Sequence, residues 1–333
     1  MIKICFVGAG STIFAKNVLG DCILTPELGE FEISLYDIDK ERLEDSRLML
    51  VNINKKYKGK ATIKATLNRR KALKDANFVV NAIQVGGYEP CTVTDFEVPK
   101  KYKLRQTIAD TLGIGGIFRT LRTIPVLEDI CKDMKDVCPK ALLINYANPM
   151  AMLTGYLQRY LWPNTVGLCH SVQCCVKGLF ESLKMNDLID HCKWEIAGIN
   201  HQAWLLKITD MNDNDLYPEI KKRSLSGDYY ETMKWDLVRH DMMHRFGYYI
   251  TESSEHTSEY TPWYIKDRYP ELIDKYLIPL DEYPRRCVKQ IADWKEMREK
   301  LVSHNIEHIK SREFAAGIIN AVVNDVPYKM HGN

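Results

Sequence analysis

Residues 3–10, KICFVGAG, run without a polar break into a glycine turn, the pattern of a strand covered on both faces within a parallel sheet. In the following STIFAKNVLGDCIL, Ile13, Phe14, Val18, Leu19, Cys22 and Ile23 recur at helical spacing, and Ser11 or Thr12 stands where a helix start is capped. The same form, an apolar strand ending in small and polar residues, returns at FEISLYDID (31–39), ANFVVNAIQVGG (76–87) and ALLINYANP (141–149). Further on, CKWEIAGINHQAWLLKITD (192–210) reads as two apolar strands broken by GINH. Strands alternating with helices predict an α/β fold with a doubly wound parallel sheet over 1–192, followed by an α+β domain over 193–333.

A strand, a glycine turn and a helix open a Rossmann-type dinucleotide fold. Gly8 and Gly10 allow close backbone approach to a pyrophosphate lying at the helix N-terminus, where Ser11 and Thr12 sit. The third glycine of the usual fingerprint is missing, since Ile13 occupies its place. Asp37, at the end of the second strand, is placed to bond an adenosine ribose hydroxyl, which predicts NAD in preference to NADP. The competing role for Asp37 is a cap on the helix that begins DKERLEDSRLML. In such a sheet ligands gather at the carboxyl ends of strands, so Gly86, Gly87, Asn145 and Asn148 are expected at one crevice. In TIADTLGIGGIFRTLRTIP (107–125), Gly113, Gly115 and Gly116 predict a flexible loop before a helix, serving either an anion or a sugar, or forming a lid.

Composition narrows the class. The 333 residues are 45% hydrophobic and 27% charged with formal net charge +2, ordinary for a globular protein with room for two domains. The densest basic stretch, NRRKALK at 68–74, fits a solvated helix better than a phosphate grip, so no nucleic-acid partner is expected. No apolar run reaches the roughly 18 residues of a membrane span, and the N-terminus enters a strand directly, which predicts a cytoplasmic protein without membrane association. Ten cysteines without CxxC spacing fit reduced thiols better than a disulfide framework or zinc ribbon.

Candidate chemistry centres on VGLCHSVQ (166–173), where Cys169 and His170 stand side by side at the apparent end of a strand. Neighbours on a strand face opposite ways, so the two are expected to do different jobs. His201 lies in the turn of the later strand pair; together with Cys169 it makes half of an open metal site. FGYYITESSEHTSEYTPWYIKDRYP (246–270) shows no clear period and predicts a loop or polar cleft, with Tyr260, Trp263 and Tyr264 as candidate sugar walls.

Six ordered segments, GAGS, DTLGIGGIFRTLRTIP, NYANPM, VGLCHSVQ, AGINHQAWLL and TESSEHTSEYTPWYIK, resemble glycoside hydrolase family 4, the NAD- and manganese-dependent glycosidases. The sequence CHS resembles the alpha-galactosidase (melibiase) branch rather than the 6-phospho-glycosidases. The resemblance implies a catalytic domain of the lactate/malate dehydrogenase-like type and a homo-oligomer acting on a small-molecule glycoside. It also implies a reaction in which NAD+ takes hydride from C3, a base removes the C2 proton, the leaving group departs, water adds and hydride returns. It assigns Cys169 and His201 to Mn2+, His170 to the departing oxygen or a sugar hydroxyl, and Tyr260 to the C2 proton, with Glu255, His256 and Glu259 as competitors. Asn148 is assigned to nicotinamide ribose and sugar, and Arg285 or Arg286 to the sugar. Manganese follows from the resemblance alone, because a thiolate ligand on softness grounds suggests zinc. Other sugars differing at C4 or C6, a hydroxy-acid dehydrogenase and a nucleotide-binding fragment remain as alternatives. Family members are expected to continue beyond VPYKMHGN with further strands and helices, so the chain reads as C-terminally short.

Overall fold

The computed structural model describes residues 1–330 and divides them into two compact units. No single cut at 192/193 separates the units: one consists of Met1–Gly87, Thr120–Leu168 and Val288–Met330, and the other of Tyr88–Arg119 and Cys169–Cys287. Residues 88–119 and 169–192 fall in the second unit, and 288–330 return to the first.

In the first unit, six strands form one sheet: β1 (Ile2–Val7), β2 (Phe31–Tyr36), β3 (Ala61–Thr66), β4 (Phe78–Asn81), β5 (Leu142–Asn145) and β6 (Thr165–Gly167). Their order is β3-β2-β1-β4-β5-β6, every pair parallel, so the order reverses between β1 and β4. The unbroken apolar run of β1 follows from that central position. Ile4 and Phe6 enter one core with Leu19, Leu35, Met49 and Ile319, while Cys5 and Val7 enter another with Val79, Leu127, Met134 and Leu143. Residues 303–330 are tied into this unit by Asp21, which accepts hydrogen bonds from the Ser311 N–H and hydroxyl and pairs with His308 at 2.8 Å. The NRRKALK stretch behaves as a solvated helix, Arg69–Leu73, with Arg69 and Arg70 paired to Asp133 and Arg70 also to Asp136.

The second unit holds an antiparallel sheet of β7 (Cys192–Ile199), β8 (Gln202–Asp210) and β9 (Tyr249–Ile250), in that order. Helices Ser171–Ser182, Tyr217–Leu225 and Leu237–Phe246 cover it, packing Val176, Phe180, Ile220 and Met243 against Leu205, Ile208 and Tyr249. Beneath this core Asp236 is fully buried and shared by Arg239, the Tyr249 hydroxyl and Ser254, so its charge is paired and its oxygens are occupied. All ten cysteines are free thiols. No helix among the described residues is long and apolar enough to cross a membrane.

Candidate active site

Four segments of the second unit converge. β6 ends at Gly167, and Cys169 follows in the turn that leads to helix Ser171–Ser182, with His170 at the helix N-cap. The pair therefore does not lie on the strand, and alternation along a strand is not what separates their roles. The β7–β8 hairpin places His201 at its two-residue tip, as the GINH break predicted, and buries it to 3% exposure. The 246–270 stretch, expected to be irregular, contains the short strand β9 and a helix, Ser254–Tyr260. Its polar residues escaped an amphipathic reading because they mark a site-facing side rather than a core-facing one. His256 and Tyr260 stand four residues apart on that helix, the spacing that stacks side chains on one face, and Glu252 lies four residues before His256, just ahead of the helix N-cap Ser253. The fourth segment is the 107–111 loop.

Cys169 Sγ lies 2.9 Å from His201 Nε2, and Glu252 Oε2 lies 3.5 Å from the same nitrogen. One donor atom from each of the three falls within 4.8 Å of the others, a sulfur, nitrogen and oxygen set able to hold a divalent ion with coordination positions to spare. Burial by itself would raise the Cys169 thiol, but the hydrogen bond and charge of His201 outweigh it and lower it below its ordinary value. The His201 imidazole is likewise depressed by burial and raised more strongly by Cys169, Glu252 and Asp110. A sulfur, an imidazole nitrogen and a carboxylate oxygen turned toward one another make a seat a cation can take, so the residues fit the expected metal. Glu252 was absent from the sequence-based ligand set, although its i, i+4 spacing to His256 was available as a signal.

Behind the metal seat stands Asp110. Its Oδ1 accepts hydrogen bonds from the Thr111 hydroxyl at 3.0 Å and the Tyr260 hydroxyl at 3.2 Å, and lies 3.5 Å from His256 Nε2. His256 also lies 3.6 Å from Glu252 and meets the His201 ring edge-on at 5.3 Å. Burial disfavours its charged form, but Glu252 and Asp110 outweigh that and push His256 up to about 9. The Tyr260 phenol is held well above its ordinary value by desolvation and the negative charge of Asp110 and Glu259. The Glu259 carboxylate accepts the N–H groups of Thr107, Ile108 and Ala109 at 2.7, 3.1 and 2.8 Å.

The glycines of 113–116 are not a flexible loop. They begin helix Gly113–Val137, and they are small so that the 106–111 segment can lie against them. A Cβ on Gly116 would fall 2.1 Å from the Thr111 carbonyl oxygen, and one on Gly115 would fall 2.6 Å from the Ala109 Cβ.

Arg285 pairs with Glu282 and donates to the Leu280 carbonyl, whereas Arg286 reaches Glu255 on the Ser254–Tyr260 helix at 2.9 Å. Of the two, Arg286 is the one joined to the site-bearing helix. Among the expected sugar walls, Tyr264 is a core residue, 3% exposed, packed on Tyr276 and donating to Asp241. Trp263 is exposed and stacks on Phe246. A cleft of about 710 Å³ runs past Tyr260, Glu259 and Thr261 and is lined on its far side by Arg105, Lys266 and Arg268. Its lining includes Tyr260 but neither Cys169 nor His201.

In the first unit, the turn after β1 has the form expected of a dinucleotide site. Gly8 has φ +92°, and a Cβ there would meet the Ala82 carbonyl oxygen at 2.8 Å, so only glycine fits. Ser11 is the N-cap of helix Thr12–Ile23, with no side-chain cap bond, leaving the first N–H groups available to an anion. Thr12 turns inward, where Ser46 donates to its hydroxyl. Asp37 accepts from the Gly10 N–H at 2.6 Å and the Asp39 N–H at 2.9 Å. The helix-cap role belongs to Asp39, which accepts from Glu41 and Arg42, so Asp37 is left at the strand end facing the glycine turn. This cradle fits a dinucleotide. Asn145 does not face a crevice: it is fully buried, accepting from Asn81 and donating to Thr154. Asn148 is half-buried ahead of helix Met150–Tyr156.

Residues 3–185 match the family 4 glycosyl hydrolases, and residues 196–333 match the C-terminal domain of the same family. The chain is 56% identical over 334 aligned positions to an alpha-galactosidase of Bacillus subtilis (strain 168), covering 100% of this chain and 76% of that protein. It is 35% identical to an alpha-galactosidase of Rhizobium meliloti (strain 1021), covering 83% of this chain and 55% of that one. In fold it resembles a 6-phospho-alpha-glucosidase from gut microorganisms, solved with NAD and Mn2+, with a TM-score of 0.70 and 21% identity over 97% of this chain and 75% of the other.

Proposed function

Because the chain belongs to family 4 of the glycosyl hydrolases, we propose that it hydrolyses alpha-galactosides with the help of NAD and a divalent manganese ion. The observation that carries this reading is the 56% identity, along the entire chain, to an alpha-galactosidase. The Cys169–His201–Glu252 seat supports the metal, and the Gly8 turn with Asp37 supports the dinucleotide, with Gly10, Ser11 and Thr12 beside it.

When bound, NAD+ supplies a reversible hydride acceptor for a sugar carbon and the metal a Lewis acid for the adjoining oxygens. This chain's residues do the rest. Cys169, His201 and Glu252 hold the ion with positions left open for sugar oxygens. Tyr260 is the proposed C2 base. Burial and the charge of Asp110 hold its phenol high, and its hydroxyl donates to Asp110 at 3.2 Å, which orients the oxygen beside the metal seat. His170, half-buried at a helix N-cap one residue from the metal cysteine, is proposed to protonate the departing oxygen. Arg286 pairs with Glu255 on the Ser254–Tyr260 helix, and the exposed Arg285, paired with Glu282, is proposed to contact the sugar. Asn148 is proposed to bind the nicotinamide ribose. Free thiols throughout suit the reducing cytoplasm, and a homo-oligomer is proposed from the resemblance.

The test supplies p-nitrophenyl alpha-galactoside with NAD+, Mn2+ and a thiol reductant while following nitrophenol and NADH together. Nitrophenol release that needs NAD+ yet leaves no net NADH is expected. Steady NADH growth on a hydroxy acid, with no glycoside cleavage, would overturn the reading.

A further inference from the structure

We propose that Thr111 is a positioning residue for the metal centre: its hydroxyl accepts the Nδ1 proton of His201 and donates its own to Asp110, fixing the ring with Nε2 toward the metal seat. The inference rests on reading Cys169, His201 and Glu252 as the metal ligands. Thr111 Oγ1 lies 2.9 Å from His201 Nδ1 and 3.0 Å from Asp110 Oδ1, and the residue is completely buried.

A hydroxyl has one proton to give. Asp110, as a carboxylate, only accepts, and it already draws the Tyr260 hydroxyl and faces His256, so the Thr111 proton goes to it. The remaining lone pairs of Thr111 Oγ1 can then only accept, which places the proton of His201 on Nδ1. Nε2, 2.9 Å from Cys169 Sγ and 3.5 Å from Glu252, is thereby the nitrogen whose lone pair is exposed when a cation enters. A ligand histidine held through its second ring nitrogen by a polar group is a recurring device for setting ring orientation and metal affinity. Here the hydroxyl stands between ring and carboxylate.

The support for Thr111 extends outward along the backbone. Glu259 gathers the N–H groups of residues 107, 108 and 109, and the Gly115–Gly116 pair lets the loop lie flat on the start of helix Gly113–Val137. Thr111 is thus held from both sides, and its hydroxyl has little freedom to move from the imidazole.

The experiment measures Mn2+ binding to the chelator-treated full chain, reading free ion from its electron paramagnetic resonance signal. It compares wild type with Thr111→Val, Thr111→Ser and Cys169→Ser, with thermal melting as a check of folding. Loss of the hydroxyl in Thr111→Val is expected to weaken Mn2+ binding by about 10- to 100-fold, the range seen when such outer partners are removed. Thr111→Ser, which keeps the hydroxyl and loses the methyl, is expected to bind as wild type does. A role in packing alone predicts the reverse order, Ser impaired and Val spared, and overturns the proposal. Should Thr111→Val not fold, Thr111→Ser against Thr111→Ala gives the same comparison, since that pair differs only in the hydroxyl. If Cys169→Ser loses Mn2+ while Thr111→Val keeps wild-type affinity, the Thr111 assignment fails and the metal seat stands. If Cys169→Ser binds Mn2+ as wild type does, the metal seat itself fails and the proposal falls with it.

Discussion

Glu252 and His256 lie 3.6 Å apart yet have different electrostatic positions. With Glu252 as the proposed third ligand beside Cys169 and His201, Glu252→Gln, which keeps shape and removes charge, is expected to weaken Mn2+ binding by at least tenfold, about 1.4 kcal/mol. An unchanged titration would remove Glu252 from the ligand set. His256, pushed up to about 9 from an ordinary 6.5, binds a proton more tightly folded than unfolded. The metal-free protein should therefore have the full His256 contribution below pH 6.5 and lose it as the pH rises through about 9. Denaturant unfolding of wild type and His256→Gln across that window checks it: the gap between them should close toward high pH, and a gap that widens contradicts the assignment.

At the level of elements, the 107–111 loop shows how a short segment without repetitive structure is made rigid. Glu259 replaces the hydrogen bonds that a helix or strand would have supplied to three successive N–H groups. Glu259→Gln turns one acceptor oxygen into a donor facing those N–H groups. It is expected to cost about 1–3 kcal/mol, with faster amide hydrogen exchange at residues 107–109 than elsewhere in the second unit. Equal exchange in both proteins would show that the loop is held by other means. The helix that carries Glu259 was hidden in the sequence because it is only seven residues long and polar, with no stripe of apolar residues to announce it.

Across the molecule, each unit has its own core, and stability is concentrated in a few buried polar knots as well as apolar packing. Asp236 is the principal one in the second unit, joining helix Leu237–Phe246 to β9 and to the start of helix Ser254–Tyr260. Asp236→Asn leaves the buried Arg239 without its counter-charge, and the expected loss is about 3–5 kcal/mol in denaturant unfolding. A loss below 1 kcal/mol would mean that Arg239 finds water on relaxation.

The sequence by itself determined the doubly wound sheet, because strands buried on both faces must be continuously apolar and leave an unmistakable trace in KICFVGAG, ANFVVNAIQVGG and ALLINYANP. It also singled out Gly8, Asp37, Cys169 and His201, whose residue types are costly to place without a task. Tertiary structure alone decided that Glu252 stands beside the Cys169–His201 pair and that Thr111 and Asp110 stand on the other side of the His201 ring. It also decided that Tyr264 and Asn145 are interior supports, and that Val288–Met330 returns to the first unit. These outcomes depend on which surfaces meet between segments up to about three hundred residues apart, as Asp21 meets Ser311. A local period of two or 3.6 residues carries no information about such encounters.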